Sequence, residues 1–133
     1  LFRSGARRAV MLNVSGPFHS DLLKGAGEKL EKVLDSIEIN EPQIPYVANV
    51  NASYITKQED IKPLLVKQVS SSVRWQQSVE TMVEDGVDTF IELGPGGTLA
   101  GFNKKIGKAI GKELTTYSVG TMEELEAVVA ALS

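Results

Sequence analysis

The sequence of 133 residues contains no cysteine and only one histidine, His19. Without cysteine the chain can form no disulfide, thiolate metal site or cysteine nucleophile, and a single histidine provides no metal-ligand spacing. No apolar run approaches the roughly 20 residues of a membrane span. The net charge of −3 argues against nucleic acid as a partner, because nucleic-acid-binding domains carry a basic excess. We therefore expect a cytoplasmic protein with no bound metal and no membrane or nucleic-acid partner.

A catalytic motif is absent as well. None of the serines lies in the G-x-S-x-G pattern that presents a nucleophile on a sharp strand-to-helix turn.

The sequence also opens on "LFRSGARRAVMLNV", without methionine, and Leu1 and Phe2 have the character of a helix end. We expect a cut chain that lacks an N-terminal part.

Hydrophobic periodicity predicts strands that alternate with helices. Strands are predicted over residues 9–14, 44–50, 89–93 and 115–119, and helices over residues 20–36, 57–69, 73–85, 98–111 and 122–133. Predicted N-caps are Ser20 or Asp21, Thr56 with Glu59, Ser72, and Thr121 with Glu124; Pro63 is expected in a first helical turn. The alternation predicts an α/β fold, with parallel strands covered by helices on both faces.

His19 lies in "GPFHSDL", between a predicted strand and a predicted helix. In α/β folds this position usually borders the ligand crevice, where a neutral imidazole can act as a base. A packed structural histidine is the alternative interpretation. No aspartate or glutamate lies in a segment obviously placed to orient the ring.

Two other segments are candidate sites. The glycine-rich turn Gly94 to Gly97 could let backbone amides approach a phosphate, although its internal proline and the lack of a following lysine favour a tight structural turn. Lys104, Lys108 and Lys112 are four residues apart and are predicted to share a helix face. Such a face is either simply solvated or meets an acidic partner or nucleotide phosphates.

Three segments carry a resemblance to a known family. "RAVMLNVSGPFHS", "VKQVSSSVRWQQSVETM" and "GVDTFIELGPGGTLAGFNKKI" closely resemble bacterial malonyl-CoA:acyl carrier protein transacylases, in this order and spacing. The resemblance runs from about Arg7 to the last helix and covers the C-terminal part of that enzyme. It implies transfer of malonyl from coenzyme A to the phosphopantetheine thiol of acyl carrier protein in fatty acid synthesis, through an acyl-serine. The coenzyme A thioester is then a substrate, and no cofactor is bound.

The resemblance also implies roles for individual residues. His19 matches the general base, and Gln68 matches the residue whose backbone carbonyl orients it, so that no acidic partner is needed. In related polyketide acyltransferase domains, a phenylalanine at the position of Phe18 is found in domains that use malonyl rather than methylmalonyl. The alternative is that Phe18 only packs the turn. The nucleophilic serine, the arginine that binds the malonyl carboxylate and the oxyanion hole belong to the absent N-terminal part. The chain alone is therefore expected to be inactive.

The family's fold supplies a domain assignment. Residues 1–19 would end a ferredoxin-like small subdomain, and residues 20–133 would form the C-terminal part of a larger α/β-hydrolase-like acyltransferase subdomain. The lysine face at Lys104, Lys108 and Lys112 would dock the acidic carrier protein. Two alternatives are an acyltransferase domain from a polyketide or multifunctional fatty acid synthase, and a non-catalytic α/β module that binds phosphate.

Overall fold

The computed structural model describes residue 5 and residues 15–133. The predicted strand over residues 9–14 lies outside these described residues, as does the predicted helix end at Leu1 and Phe2. Within residues 15–133, a short 3₁₀ turn, Asp21–Leu23, comes before the other elements. They are α1 (Lys24–Leu34), β1 (Tyr46–Ala48), β2 (Ser53–Ile55), α2 (Gln58–Ser70), α3 (Trp75–Glu84), β3 (Thr89–Leu93), α4 (Thr98–Ile110), β4 (Thr115–Val119) and α5 (Met122–Leu132).

Strands β3 and β4 form a parallel pair in continuous register, from Thr89 opposite Thr115 to Leu93 opposite Val119. Helix α4 makes the crossover that a parallel pair requires, and both α4 and α5 pack against β4. The α/β fold with a parallel sheet is confirmed. The apolar side chains of Ile91 and Leu93 alternate with the inward residues of β3 and stay 47% and 76% exposed.

The other strand pair differs from the expectation of parallel strands. The predicted strand over residues 44–50 is shorter, and β1 pairs antiparallel with β2, a strand that the sequence did not predict. The connecting turn places Ala52 in the left-handed region, at φ 56°, and its amide donates to the Ala48 carbonyl at 2.8 Å. Only a few residues separate the strands, so a hairpin is the one connection that fits.

A small apolar core joins this hairpin to α2. Its buried members are Ala48, Val50, Ile55 and Ile61. Helix α1 packs on α2 at Gly27, where an added Cβ atom would lie 3.3 Å from the Val66 carbonyl oxygen. This close contact, together with that of the 3₁₀ turn against α2, brings the segment that precedes α1 to the C-terminal end of α2.

The predicted capping box of α5 is confirmed. The Glu124 amide donates to the Thr121 hydroxyl at 3.2 Å, and the Glu124 carboxylate accepts from the Thr121 amide at 3.0 Å. The box at Thr56 and Glu59 was wrong, because α2 begins at Gln58 and Lys57 occupies the N-cap position without a side-chain hydrogen bond. Pro63 is consequently the sixth residue of α2 and not part of its first turn.

Of the other two predicted N-caps, Ser72 was wrong, while Ser20 occupies the N-cap position of the 3₁₀ turn that leads into α1 but makes no capping hydrogen bond with its side chain. Helix α3 begins at Trp75 after Arg74, so Ser72 precedes the helix without capping it. The chain after Ser20 first forms the 3₁₀ turn, and the Ser20 hydroxyl donates to the Pro17 carbonyl instead of accepting from a helix amide. Local hydrogen bonds of this kind compete with capping, since serine hydroxyls readily bind nearby backbone groups.

Candidate active site

His19 lies on an exposed turn at the entrance to α1. Its φ angle is 56°, in the left-handed region that residues other than glycine seldom adopt. The Ser20 hydroxyl donates to the Pro17 carbonyl at 2.7 Å and closes the turn around His19. A left-handed histidine is among the backbone outliers that cluster at functional sites.

The structure brings His19 and Gln68 together. The Nδ1 atom of His19 lies 3.0 Å from the backbone carbonyl oxygen of Gln68. A carbonyl oxygen can only accept a hydrogen bond, so this contact requires a proton on Nδ1. In the neutral ring Nε2 then carries the free lone pair, and among the described residues it has no hydrogen-bond partner.

The Gln68 carbonyl is available because α2 ends at Ser70. The last four carbonyls of a helix have no partner within it, and Ser71 already has an extended conformation. The end of α2 thus supplies a hydrogen-bond acceptor to Nδ1 of the imidazole, as an aspartate does in a Ser-His-Asp triad.

Phe18 is adjacent to His19 and 64% exposed. Its ring lies over Gly16, where an added Cβ atom would be 3.4 Å from the edge of the ring. Within the described part of the chain, the ring therefore covers the turn and does not enter the core.

The predicted lysine face is only partly helical. Lys104 and Lys108 belong to α4, but the helix ends at Ile110 and Gly111 adopts φ 68°, so Lys112 lies beyond it. The left-handed glycine ends the helix earlier than the four-residue spacing suggested. All three lysines nevertheless line one open groove of about 680 Å³. None of them forms a salt bridge with a described residue.

The glycine-rich turn between β3 and α4 is already occupied by a carboxylate of the chain. Glu92 accepts from the backbone amides of Leu99 and Ala100 at 3.0 and 2.9 Å, and from the Ser118 hydroxyl at 3.4 Å. These amide hydrogen bonds hold the pKa of Glu92 below its ordinary value. A phosphate at this helix end would meet amides that are already paired and a negative charge, which argues against the phosphate-binding alternative.

The sequence did not predict the buried hydrogen bonds of Asn103. The side chain of Asn103 is 1% exposed, accepts from the Trp75 indole at 3.1 Å and donates to the Thr116 hydroxyl at 3.2 Å. It joins α3, α4 and β4. Its partners are 28 and 13 residues away in sequence, so no local pattern indicates them. Glu92 could have been noticed as the one charged residue in the apolar strand TFIEL.

The described residues contain neither a candidate metal site nor a candidate membrane-spanning helix. No group of three or more histidine, cysteine, aspartate or glutamate side chains in residues 15–133 could hold a metal ion. No helix in the same part of the chain is long and apolar enough to cross a membrane.

Malonyl CoA-acyl carrier protein transacylases are among the known proteins to which this chain is similar. No protein-family model matches the chain. The malonyl CoA-acyl carrier protein transacylase of Bacillus subtilis is 43% identical over 129 residues, which are 97% of this chain and 39% of the relative. The chain therefore spans about two fifths of the length of this curated relative.

Solved structures agree. A malonyl CoA-acyl carrier protein transacylase from Clostridium perfringens matches with a TM-score of 0.82 at 41% identity, over 94% of this chain and 38% of that one. A type II PKS acyl carrier protein in complex with its malonyl-transacylase matches with a TM-score of 0.86 at 37% identity, over 98% and 41%. The resemblance seen in the sequence is confirmed: almost all of this chain is similar to about two fifths of malonyl-CoA:acyl carrier protein transacylase.

Proposed function

We propose that this chain is the C-terminal part of an enzyme that transfers malonyl from coenzyme A to the phosphopantetheine thiol of acyl carrier protein. The observation that carries the proposal is the hydrogen bond between His19 Nδ1 and the Gln68 carbonyl. This hydrogen bond fixes the orientation of the imidazole ring and leaves Nε2 unprotonated, so that Nε2 can act as a base. The family resemblance predicted these two residues in these two roles.

The proposed reaction has two halves, each with one proton transfer through His19. Nε2 takes the hydroxyl proton of a serine while the serine oxygen attacks the malonyl thioester carbonyl, and the coenzyme A thiolate leaves with that proton. Nε2 then takes the proton of the carrier-protein thiol, whose sulfur attacks the malonyl-serine ester. The serine oxygen regains the proton as it leaves, so the enzyme returns to its starting state.

The serine of this reaction would lie outside the 133 residues. No serine here has the G-x-S-x-G context, and the relatives are more than twice as long as the chain. We assign the carboxylate-binding arginine and the oxyanion hole to the same missing part. Residues 1–19 then end a ferredoxin-like small subdomain, and residues 20–133 belong to the large subdomain. The isolated chain is inactive in this proposal, and the complete enzyme acts in the cytoplasm.

The groove lined by Lys104, Lys108 and Lys112 would receive the acidic carrier protein. Three cations without an ion-pair partner among the described residues attract an acidic surface and accelerate its association. A related transacylase is known in complex with its carrier protein, which supports a carrier as partner. That carrier comes from a type II PKS, so the same chemistry in polyketide synthesis is the second candidate.

Replacement of His19 by alanine in the complete enzyme tests the proposal. We expect malonyl transfer to fall about 10²–10⁴-fold, the usual contribution of a general base. Thermal unfolding should be unchanged, because the side chain is exposed. Normal turnover by His19→Ala would contradict the proposed function.

A further inference from the structure

We propose that Ser20 is a positioning residue for His19, an inference that rests on the proposed function. The Ser20 hydroxyl donates to the Pro17 carbonyl at 2.7 Å, three residues back along the chain. The backbone carbonyl of Ser20 in turn accepts from the Leu23 amide at 3.0 Å. Ser20 therefore ties the residues before His19 to the 3₁₀ turn that follows it.

The turn needs such a tie because His19 has a conformation that its Cβ atom disfavours. At φ 56° the backbone of His19 would relax to an ordinary conformation if the flanking residues allowed it. The turn is exposed, so core packing does not hold it. In the described structure the hydroxyl of Ser20 is the side-chain group that closes it.

Relaxation of His19 would affect catalysis more than folding. A change in φ swings the imidazole away from the Gln68 carbonyl, which fixes the Nδ1 proton and the direction of Nε2. A base displaced by about 1 Å can lose as much as 10²-fold in rate. The global fold depends instead on buried residues elsewhere, such as Ile61 and Val79.

The chain provides a matched control. Ser36 makes the same hydrogen bond at the same length, from its hydroxyl to the Val33 carbonyl at 2.7 Å, but at the opposite end of α1 from His19. Ser20→Ala and Ser36→Ala thus remove one equivalent bond each. Only Ser20→Ala removes it beside the proposed base.

The variants are tested in the complete enzyme by steady-state malonyl transfer. We expect Ser20→Ala to lower kcat about tenfold with KM for malonyl-CoA within about twofold. Ser20→Thr keeps the hydroxyl and should restore most of kcat, while Ser36→Ala should match the wild type. Unchanged kcat in Ser20→Ala, or an equal loss in Ser36→Ala, would overturn the inference.

A double variant separates positioning from a general structural role. Because Ser20 acts through the imidazole, Ser20→Ala should cause no further loss when His19 is already alanine. A further tenfold loss in that background would overturn the inference while leaving the proposed function intact. Full activity of His19→Ala alone would overturn the proposed function, and the role of Ser20 with it.

Discussion

Two polar side chains of β3 and α4, Glu92 and Asn103, have hydrogen-bond partners within the protein on both sides, whereas His19, beside the end of α2, has a described partner for only one ring nitrogen. Glu92 is bound by helix amides, and Asn103 is bound on both sides by Trp75 and Thr116. His19 has one nitrogen on the Gln68 carbonyl and no described partner for the other. Polar groups that are hydrogen-bonded within the protein stabilise the fold. A positioned ring nitrogen that has no partner in the protein is free to bind or react with a substrate.

The first prediction concerns Asn103, where we expect the largest effect on stability. Asn103→Leu leaves the Trp75 indole without an acceptor in a partly buried site. We expect a loss of about 1–3 kcal/mol in the free energy of unfolding, measured by urea denaturation of the complete protein. The exposed Asn40→Leu serves as the control. Equal free energies of unfolding for the two variants would contradict a stabilising role for Asn103.

The sequence predicted the contact between His19 and Gln68 better than it predicted the packing around them. His19 and Gln68 were recognised from motif segments 49 residues apart, and the long helices from their apolar periodicity. Thr121 with Glu124 was predictable because a capping box is a local pattern. The caps at Thr56 and Ser72 were wrong because α2 and α3 begin one and two residues further along the chain than predicted. Strand β2 was missed because three residues show no clear period.

A second prediction asks whether the lysine groove recognises the carrier protein. Reversal of Lys104, Lys108 and Lys112 to glutamate should raise KM for the carrier protein about tenfold at low salt, with KM for malonyl-CoA unchanged. The difference should shrink as salt screens the charges. Reversal of Lys29 and Lys32, which are exposed on α1 outside the groove, is the control. Equal carrier KM values in both variants would exclude this docking surface.

A third prediction is a smaller, pH-dependent effect at Glu92. Its pKa is lowered in the folded protein by hydrogen bonds from the amides of Ala100 and Leu99. The stability it contributes is therefore present above its unfolded pKa and is lost as the pH falls through its folded pKa. Glu92→Gln should be less stable than the wild type at neutral pH, and the gap should narrow in acid. A gap independent of pH would contradict this assignment, and the exposed Glu126→Gln is the control.

The smallest effect is expected at Gln68. The group that contacts His19 is the backbone carbonyl, which alanine also provides, and alanine favours the helix that ends nearby. Gln68→Ala should therefore keep malonyl transfer within about threefold of the wild type. A large loss of kcat would show that the amide side chain takes part, and would weaken the comparison between helix end and triad aspartate.

The most direct test of the account is to locate the malonyl group on the complete enzyme after incubation with malonyl-CoA. Intact mass spectrometry detects the acyl-enzyme, and peptide mapping identifies the modified residue. We predict one malonyl group, on a serine outside the 133-residue sequence, and greatly slowed acylation in His19→Ala. A malonyl group on a serine within these residues would contradict the assignment of this chain as the part that carries the base.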